Sequence, residues 1–315
     1  MRRWLFLALL FCLPGCGKQV PVAPPSTSGI LERDRELYEQ AMKALRKNRF
    51  TVARLQLQNL LETYEDSEFS AQAKYAVADS FYFEAGHSNL LSAEAEFRKF
   101  ITFFPTHELA DDAQLKVAMT HIKQVQKPDR DDTEARLAEF ELNVMINEYP
   151  DSNLLEEAKE KLRAIQEILA ESLLGPAKQY YLRRAYPAVV DRCQEILKKY
   201  PDFSGTDRVL YLLGETMRKV NPEQSSPYYA QIVRDYPLSP LVDDSKKNLL
   251  ALQAAVPDPS PLALDRAKQM PVEGKGVFGV LSMGLFKGGG PEISKDTKAA
   301  SAKDPRSELS IPEEQ

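Results

Sequence analysis

Cysteine is scarce in this chain, with three in 315 residues, and two of them fall at positions 12 and 16. If Cys12 leaves with an N-terminal signal and Cys16 is modified, Cys193 stands alone and an intramolecular disulfide is excluded. Histidine is equally sparse: His87, His107 and His121 are scattered, with His107 in a predicted turn and His121 on a predicted helix. Capping, packing or solvation accounts for them better than a metal or a catalytic role. Positive charge is not in excess either, since the net charge of −5 and pI near 5.5 provide no overall basic field for nucleic acid. The aspartates Asp129, Asp131 and Asp132 lack the glycine and terminal glutamate that a calcium loop needs at its spacing. Gly279 and Gly284 have phosphate-loop spacing, but Leu285-Phe286 follows where a lysine and a hydroxyl belong. Nothing here points to an enzyme, a cofactor or a metal.

What is present begins at the N-terminus. Met1, Arg2 and Arg3 lead into the apolar run Trp4 to Leu13, too short to span a bilayer as a helix and suited to a secretory signal over residues 1–15. Leu13-Pro14-Gly15-Cys16 resembles the lipobox of bacterial lipoproteins, with Pro14 off pattern, and this makes Cys16 the expected acyl acceptor. Each buried methylene adds roughly 0.8 kcal/mol of membrane affinity, so two or three acyl chains form a near-permanent anchor and no second membrane segment is needed. Gly17 after the cysteine, by analogy with lipoprotein sorting, favours the outer membrane. Residues 16–31 hold Pro21, Pro24, Pro25, Ser26 and Ser28, the composition of an extended tether.

Residues 32–256 read as an all-α, tetratricopeptide-like solenoid of helical hairpins. Apolar residues recur at three- and four-residue steps, which predicts helices near 32–46, 50–64, 68–85, 89–104, 108–125, 133–149, 152–182, 186–200, 204–219, 223–236 and 239–255. An aromatic followed by proline punctuates alternate helices at Phe104-Pro105, Tyr149-Pro150, Tyr200-Pro201 and Tyr236-Pro237, with a degenerate Tyr64-Glu65 before them. Asp151-Ser152, Asp202 with Ser204, and Ser239 are placed to cap the next helix. Counting back from each proline, or from Glu65, brings up Ala53, Leu57, Leu60; Ala93, Phe97, Phe100; Ala138, Leu142, Met145; Val189, Cys193, Ile196; and Ser225, Tyr229, Ile232. This is the tetratricopeptide second-helix spacing with a bulky third position, and it predicts about five units and a C-terminal capping helix. Gly175-Pro176 predicts a kink or break between a 32–150 half and a 151–256 half. Residues 257–315 turn to Pro, Gly, Ser and Lys, the composition of a disordered tail. Their apolar island 277–286 is either a nonspecific patch or a docking segment.

Two stretches carry a family resemblance. They are Phe97-Arg98-Lys99-Phe100-Ile101-Thr102-Phe103-Phe104-Pro105-Thr106-His107, and Tyr180-Tyr181-Leu182-Arg183-Arg184-Ala185-Tyr186-Pro187-Ala188-Val189-Val190 running on to Tyr200-Pro201. Over roughly residues 32–236 the chain resembles the BamD (ComL) family, tetratricopeptide lipoproteins of the outer-membrane β-barrel assembly machinery. The resemblance implies a lipid-anchored, periplasm-facing scaffold at the outer membrane whose N-terminal half receives unfolded barrel proteins. It implies also that the C-terminal half contacts the periplasmic domains of the barrel-forming subunit, with no nucleic acid involved. The long glycine-bearing tail is outside the family pattern. A periplasmic adaptor coordinating envelope growth or peptidoglycan synthesis is the alternative.

Candidate residues follow from the register. Tyr38, Arg46, Tyr75 and Tyr82 lie on the first helices of the first two units, which usually line a tetratricopeptide concavity, so they are client-groove candidates or ordinary packing. Lys198 and Lys199 precede the Tyr200-Pro201 turn and serve either an acidic partner surface or the helix dipole. Cys193 falls on a core position, which favours packing over nucleophilic chemistry.

Overall fold

Two kinds of turn recur along the chain, and each follows from local chemistry. The computed structural model describes residues 27–269 except 129. In this range the chain forms α1 (Thr27–Arg46), α2 (Phe50–Thr63), α3 (Ser70–Glu84), α4 (His87–Phe103), α5 (Ala110–Ile122), α6 (Thr133–Glu148) and α7 (Leu155–Leu182). It continues through α8 (Tyr186–Lys199), α9 (Thr206–Val220), a 3-10 turn at Pro222–Gln224, α10 (Ser226–Asp235), α11 (Val242–Ala251) and α12 (Pro261–Gln269), with no strand among the described residues. None of these helices is long and apolar enough to cross a membrane.

The turn that closes each pair is built by the aromatic punctuation. Tyr64, Phe104, Tyr149, Tyr200 and Tyr236 each donate a last N–H to the residue four before, and each then accepts from the residue three after: Ser67, His107, Ser152, Phe203 and Ser239. Proline has no N–H to lose at the position after the aromatic, and its ring prevents the helix from continuing. The Ser67, Ser152 and Ser239 hydroxyls accept the N–H of Phe69, Leu154 and Leu241, and His107 Nδ1 does the same for Leu109. Each of these serines also donates to a carboxylate on the first helix of its own pair, Asp34, Asp111 or Asp207, at 2.6 Å. One hydroxyl thus holds the turn ahead of the next helix and ties the hairpin shut, but it bonds no N–H within that helix, which corrects the expected capping by Ser152 and Ser239. The expected capping role of Ser204 is corrected: Phe203 fills the turn position, and Ser204 donates its N–H and hydroxyl to Glu167 at 2.8 and 2.7 Å.

Inside the first and fourth pairs the turn is different. Asn48 and Arg184 adopt φ of 56° and 60°, and the following N–H reaches back five residues, Arg49 to Ala44 and Ala185 to Tyr180. This is the left-handed helix ending usually given to glycine. Non-glycine residues there carry a modest backbone cost that the packed hairpins hold in place.

Hairpin packing then follows the predicted register. The fifteen second-helix positions derived from the proline spacing, from Ala53 to Ile232, are all fully buried. Bulky third positions are therefore accommodated, with Phe97 and Phe100 set edge-on to Tyr75 at ring separations of 5.5 Å. Where a large side chain meets the facing helix, the backbone gives way: a Cβ on Gly214 would stand 2.7 Å from the Tyr229 ring. Helices α1/α2, α3/α4, α5/α6, α7/α8 and α9/α10 pair successively, and α11 packs on α10.

Three boundary expectations are corrected. Helix α1 begins at Thr27, inside the stretch expected as tether. Gly175-Pro176 does not break the chain's helical run but lies within a continuous α7, where Leu174 and Ala177 on either side are fully buried and packing holds the helix across the missing hydrogen bond. Helix α12 falls where disorder was expected; the Ser260 N–H bonds the Arg234 carbonyl and Ala263 is buried. Cys16 and the island 277–286 lie outside the described residues.

Candidate functional site

The first-helix tyrosines converge on packing and not on an open groove. Tyr38, Tyr75 and Tyr82 are 4 %, 1 % and 4 % exposed, which corrects their reading as groove-lining side chains. Tyr38 stacks on Phe69 at 4.9 Å, and Tyr82 meets Phe97 at 6.4 Å. Burial raises the phenols of all three, Tyr82 to about 12. Arg46 alone of the four candidates is exposed, at the end of α1.

Around Tyr75 and Tyr82 the structure assembles a charge network between α3 and α5. Lys116 sits 3.5 Å from Asp79, with its Nζ 4.7 Å from the centre of the Tyr82 ring, and Tyr75 donates its hydroxyl to Asp112. Burial works to lower the Lys116 pKa, but the facing Asp79 and Asp112 carboxylates overcome it, so the net shift is upward. Lys123 lies over the same ring at 3.3 Å and donates to the Tyr82 carbonyl. Burial and then repulsion from Lys116 bring this amine down to about 8. Beside this network His121 Nδ1 is 2.8 Å from Glu134, and Arg98 joins Glu94 on its own helix to Glu141 on α6. These groups join the second and third pairs through side chains with defined partners.

Aromatic surface is presented elsewhere. Phe103 and Phe140 are 63 % and 62 % exposed on α4 and α6, and Lys74 lies 3.9 Å over the Phe103 ring. Sequence reasoning passed over both. Phe140 stands two residues from each of the core positions Ala138 and Leu142, which turns it to the opposite side of a helix with a 3.6-residue period.

At the C-terminal side Lys198 and Lys199 are both exposed, and Lys199 pairs with Glu195 at 2.8 Å. Lys199 and Arg163 line a polar cleft of about 270 Å³ with Glu167, Tyr200 and Asp202. Cys193 is fully buried, and burial pushes its thiol up to about 12. Such a thiol has little thiolate for chemistry. In the loop before α6, Asp131 accepts the N–H and hydroxyl of Thr133 and Asp132 pairs with Arg136, while Asp129 lies outside the described residues. Among the described residues no three His, Cys, Asp or Glu side chains are grouped to hold a metal.

The described side chains form surfaces carried on successive helix pairs, and the chain is similar to known proteins. The model of the YfiO family, described as outer membrane lipoprotein, matches residues 32–230. A Vibrio cholerae protein named outer membrane protein assembly factor BamD is 26% identical over 244 residues, covering 74% of this chain and 96% of its own. A Haemophilus influenzae protein of the same name is 26% identical over 192 residues, covering 59% of this chain and 73% of its own.

Proposed function

The chain belongs to the YfiO outer membrane lipoprotein family, and from that premise we propose that it is a lipid-anchored, non-catalytic scaffold for outer-membrane β-barrel assembly, facing the periplasm. The observation that carries this reading is the extent of the family match, which runs from within α1 through four hairpins and α9 to the middle of α10. The 32–150 half receives unfolded barrel segments, whose alternating apolar and aromatic side chains suit exposed Phe103 and Phe140 together with Arg46. The 151–256 half holds the barrel-forming subunit through Lys198, Lys199 and the adjoining cleft. Because stacked pairs contact mainly their neighbours, two surfaces on one solenoid are free to differ in what they bind.

Crosslinking in native envelopes tests the division. Photocrosslinkers at Phe103 and Phe140 should capture unfolded barrel peptides, and Lys198→Glu with Lys199→Glu should weaken retention of the barrel subunit by about tenfold while peptide capture persists. Circular dichroism should show an unchanged fold. Loss of both activities together would mean a single shared site, and unchanged retention would remove the lysines from the partner surface. The anchor is read in the same preparation, where Cys16→Ala should move the protein into the salt wash.

A further inference from the structure

The first hairpin has an open end with an unusual charge pattern. From Gln40 to Leu61 the chain carries five cations and no carboxylate, within a protein of net charge −5. Lys43 on α1 and Lys47 in the turn just past its end line a cleft of about 210 Å³, and Arg49 and Val52 meet them there from the start of α2. Lys43, Lys47 and Arg49 are exposed, and none of the three forms an ion pair among the described residues. Helix-dipole stabilisation suits the two lysines at the end of α1, but Arg49 precedes the N-terminus of α2, where a cation is disfavoured. Beside them Val52 and Leu55 are 48 % and 69 % exposed, one helical turn apart.

We propose that this open end of the solenoid docks on anionic phospholipid headgroups, with Lys43, Lys47 and Arg49 meeting phosphates and Val52 and Leu55 entering the interface. Charge complementarity selects this occupant, since a second copy of the chain would bring cation against cation. Cations flanked by exposed aliphatic side chains are the chemistry of a surface-bound helix. The inference rests on the anchored reading in one respect. Even fully extended, the eleven-residue step from Cys16 to Thr27 spans at most about 40 Å and α1 adds about 30 Å to its far end, so an acylated Cys16 keeps the hairpin within reach of the membrane and a weak contact acts at high effective concentration.

The test uses the full chain without its signal and carrying Cys16→Ala, so that no acyl chain contributes, with Leu55→Cys bearing an environment-sensitive fluorophore. Cys193 is buried and leaves position 55 as the labelling site. Emission should shift to the blue with phosphatidylcholine vesicles containing about one-third phosphatidylglycerol, and not with phosphatidylcholine alone. The shift should vanish at about 0.5 M salt. Lys43→Glu, Lys47→Glu and Arg49→Glu together should weaken vesicle affinity by about tenfold or more. If that triple variant does not fold, Lys43→Gln with Lys47→Gln should weaken it several-fold. No shift, an equal shift on neutral vesicles, or unchanged affinity in a folded variant overturns the proposal. Capture of a protein from native envelopes by a crosslinker at residue 55, without vesicle binding, also overturns it in favour of a protein partner. Membrane retention of Cys16→Ala in a salt wash would count against the anchor alone, because the vesicle assay contains no acylated protein.

Discussion

Phe97→Ala should lower the stability of the solenoid by about 3–5 kcal/mol, the largest loss expected from a single side chain here. Phe97 is fully buried and is set edge-on to both Tyr75 and Tyr82, so truncation removes two aromatic contacts and leaves a cavity inside the second pair. The tyrosines cannot collapse into that space freely, since Tyr75 is tied to Asp112 and Tyr82 lies under Lys116 and Lys123. Phe97→Leu, which keeps most of the volume, should cost roughly 1–2 kcal/mol. Urea unfolding followed by circular dichroism measures the loss. Hydrogen exchange should place it in α3 to α5 while α9 to α11 keep their protection, because repeat stability is a sum over neighbours. A loss below about 1 kcal/mol would show that the site closes over the deletion.

Lys116→Met should be of similar weight, at about 3–5 kcal/mol, for an electrostatic reason. The substitution preserves volume but removes the cation that faces Asp79 and Asp112 in an interior where the Asp79 side chain is only 7% exposed. Carboxylates without their cation carry a large desolvation cost, so Asp79→Asn added to Lys116→Met should recover much of the stability. The sign of the pH dependence follows from the raised Lys116 pKa. The stabilisation is fully present below the ordinary lysine value of 10.5 and is lost only as pH rises through the higher folded value. The difference from the native protein should therefore hold steady between about pH 6 and 9. Urea titrations across that range check both statements, and failure of the double variant to recover would locate the cost in packing.

The hairpin register was open to sequence reasoning because it rests on local rules. Proline ends a helix wherever it follows Tyr149 or Tyr200, and a 3.6-residue period then dictates which side chains of the preceding helix point inward. Cys193 could be placed in the core on that count alone. Longer-range arrangements were not legible in the same way. Tyr38, Tyr75 and Tyr82 occupy first-helix positions compatible with either a groove or a core. The choice depends on which rings stand opposite, and Phe69, Phe97 and Phe100 lie tens of residues away in the chain. Lys116 reads as an ordinary surface lysine until α3 brings Asp79 against it.

Gly175-Pro176 and α12 show the same division. A proline within a helix predicts local weakness, but burial of Leu174 and Ala177 by neighbouring helices outweighs one lost hydrogen bond. For α12 the local composition reads as tail, whereas the contact that holds it is with the end of α10. By itself the sequence determined the all-helical repeat, its turn chemistry and its second-helix core, since each depends on residues within one hairpin. Only the tertiary structure decided which tyrosines are interior, which aromatic faces meet solvent and which charges are paired, because those outcomes are set by side chains distant in the chain, on facing helices, competing for the same space.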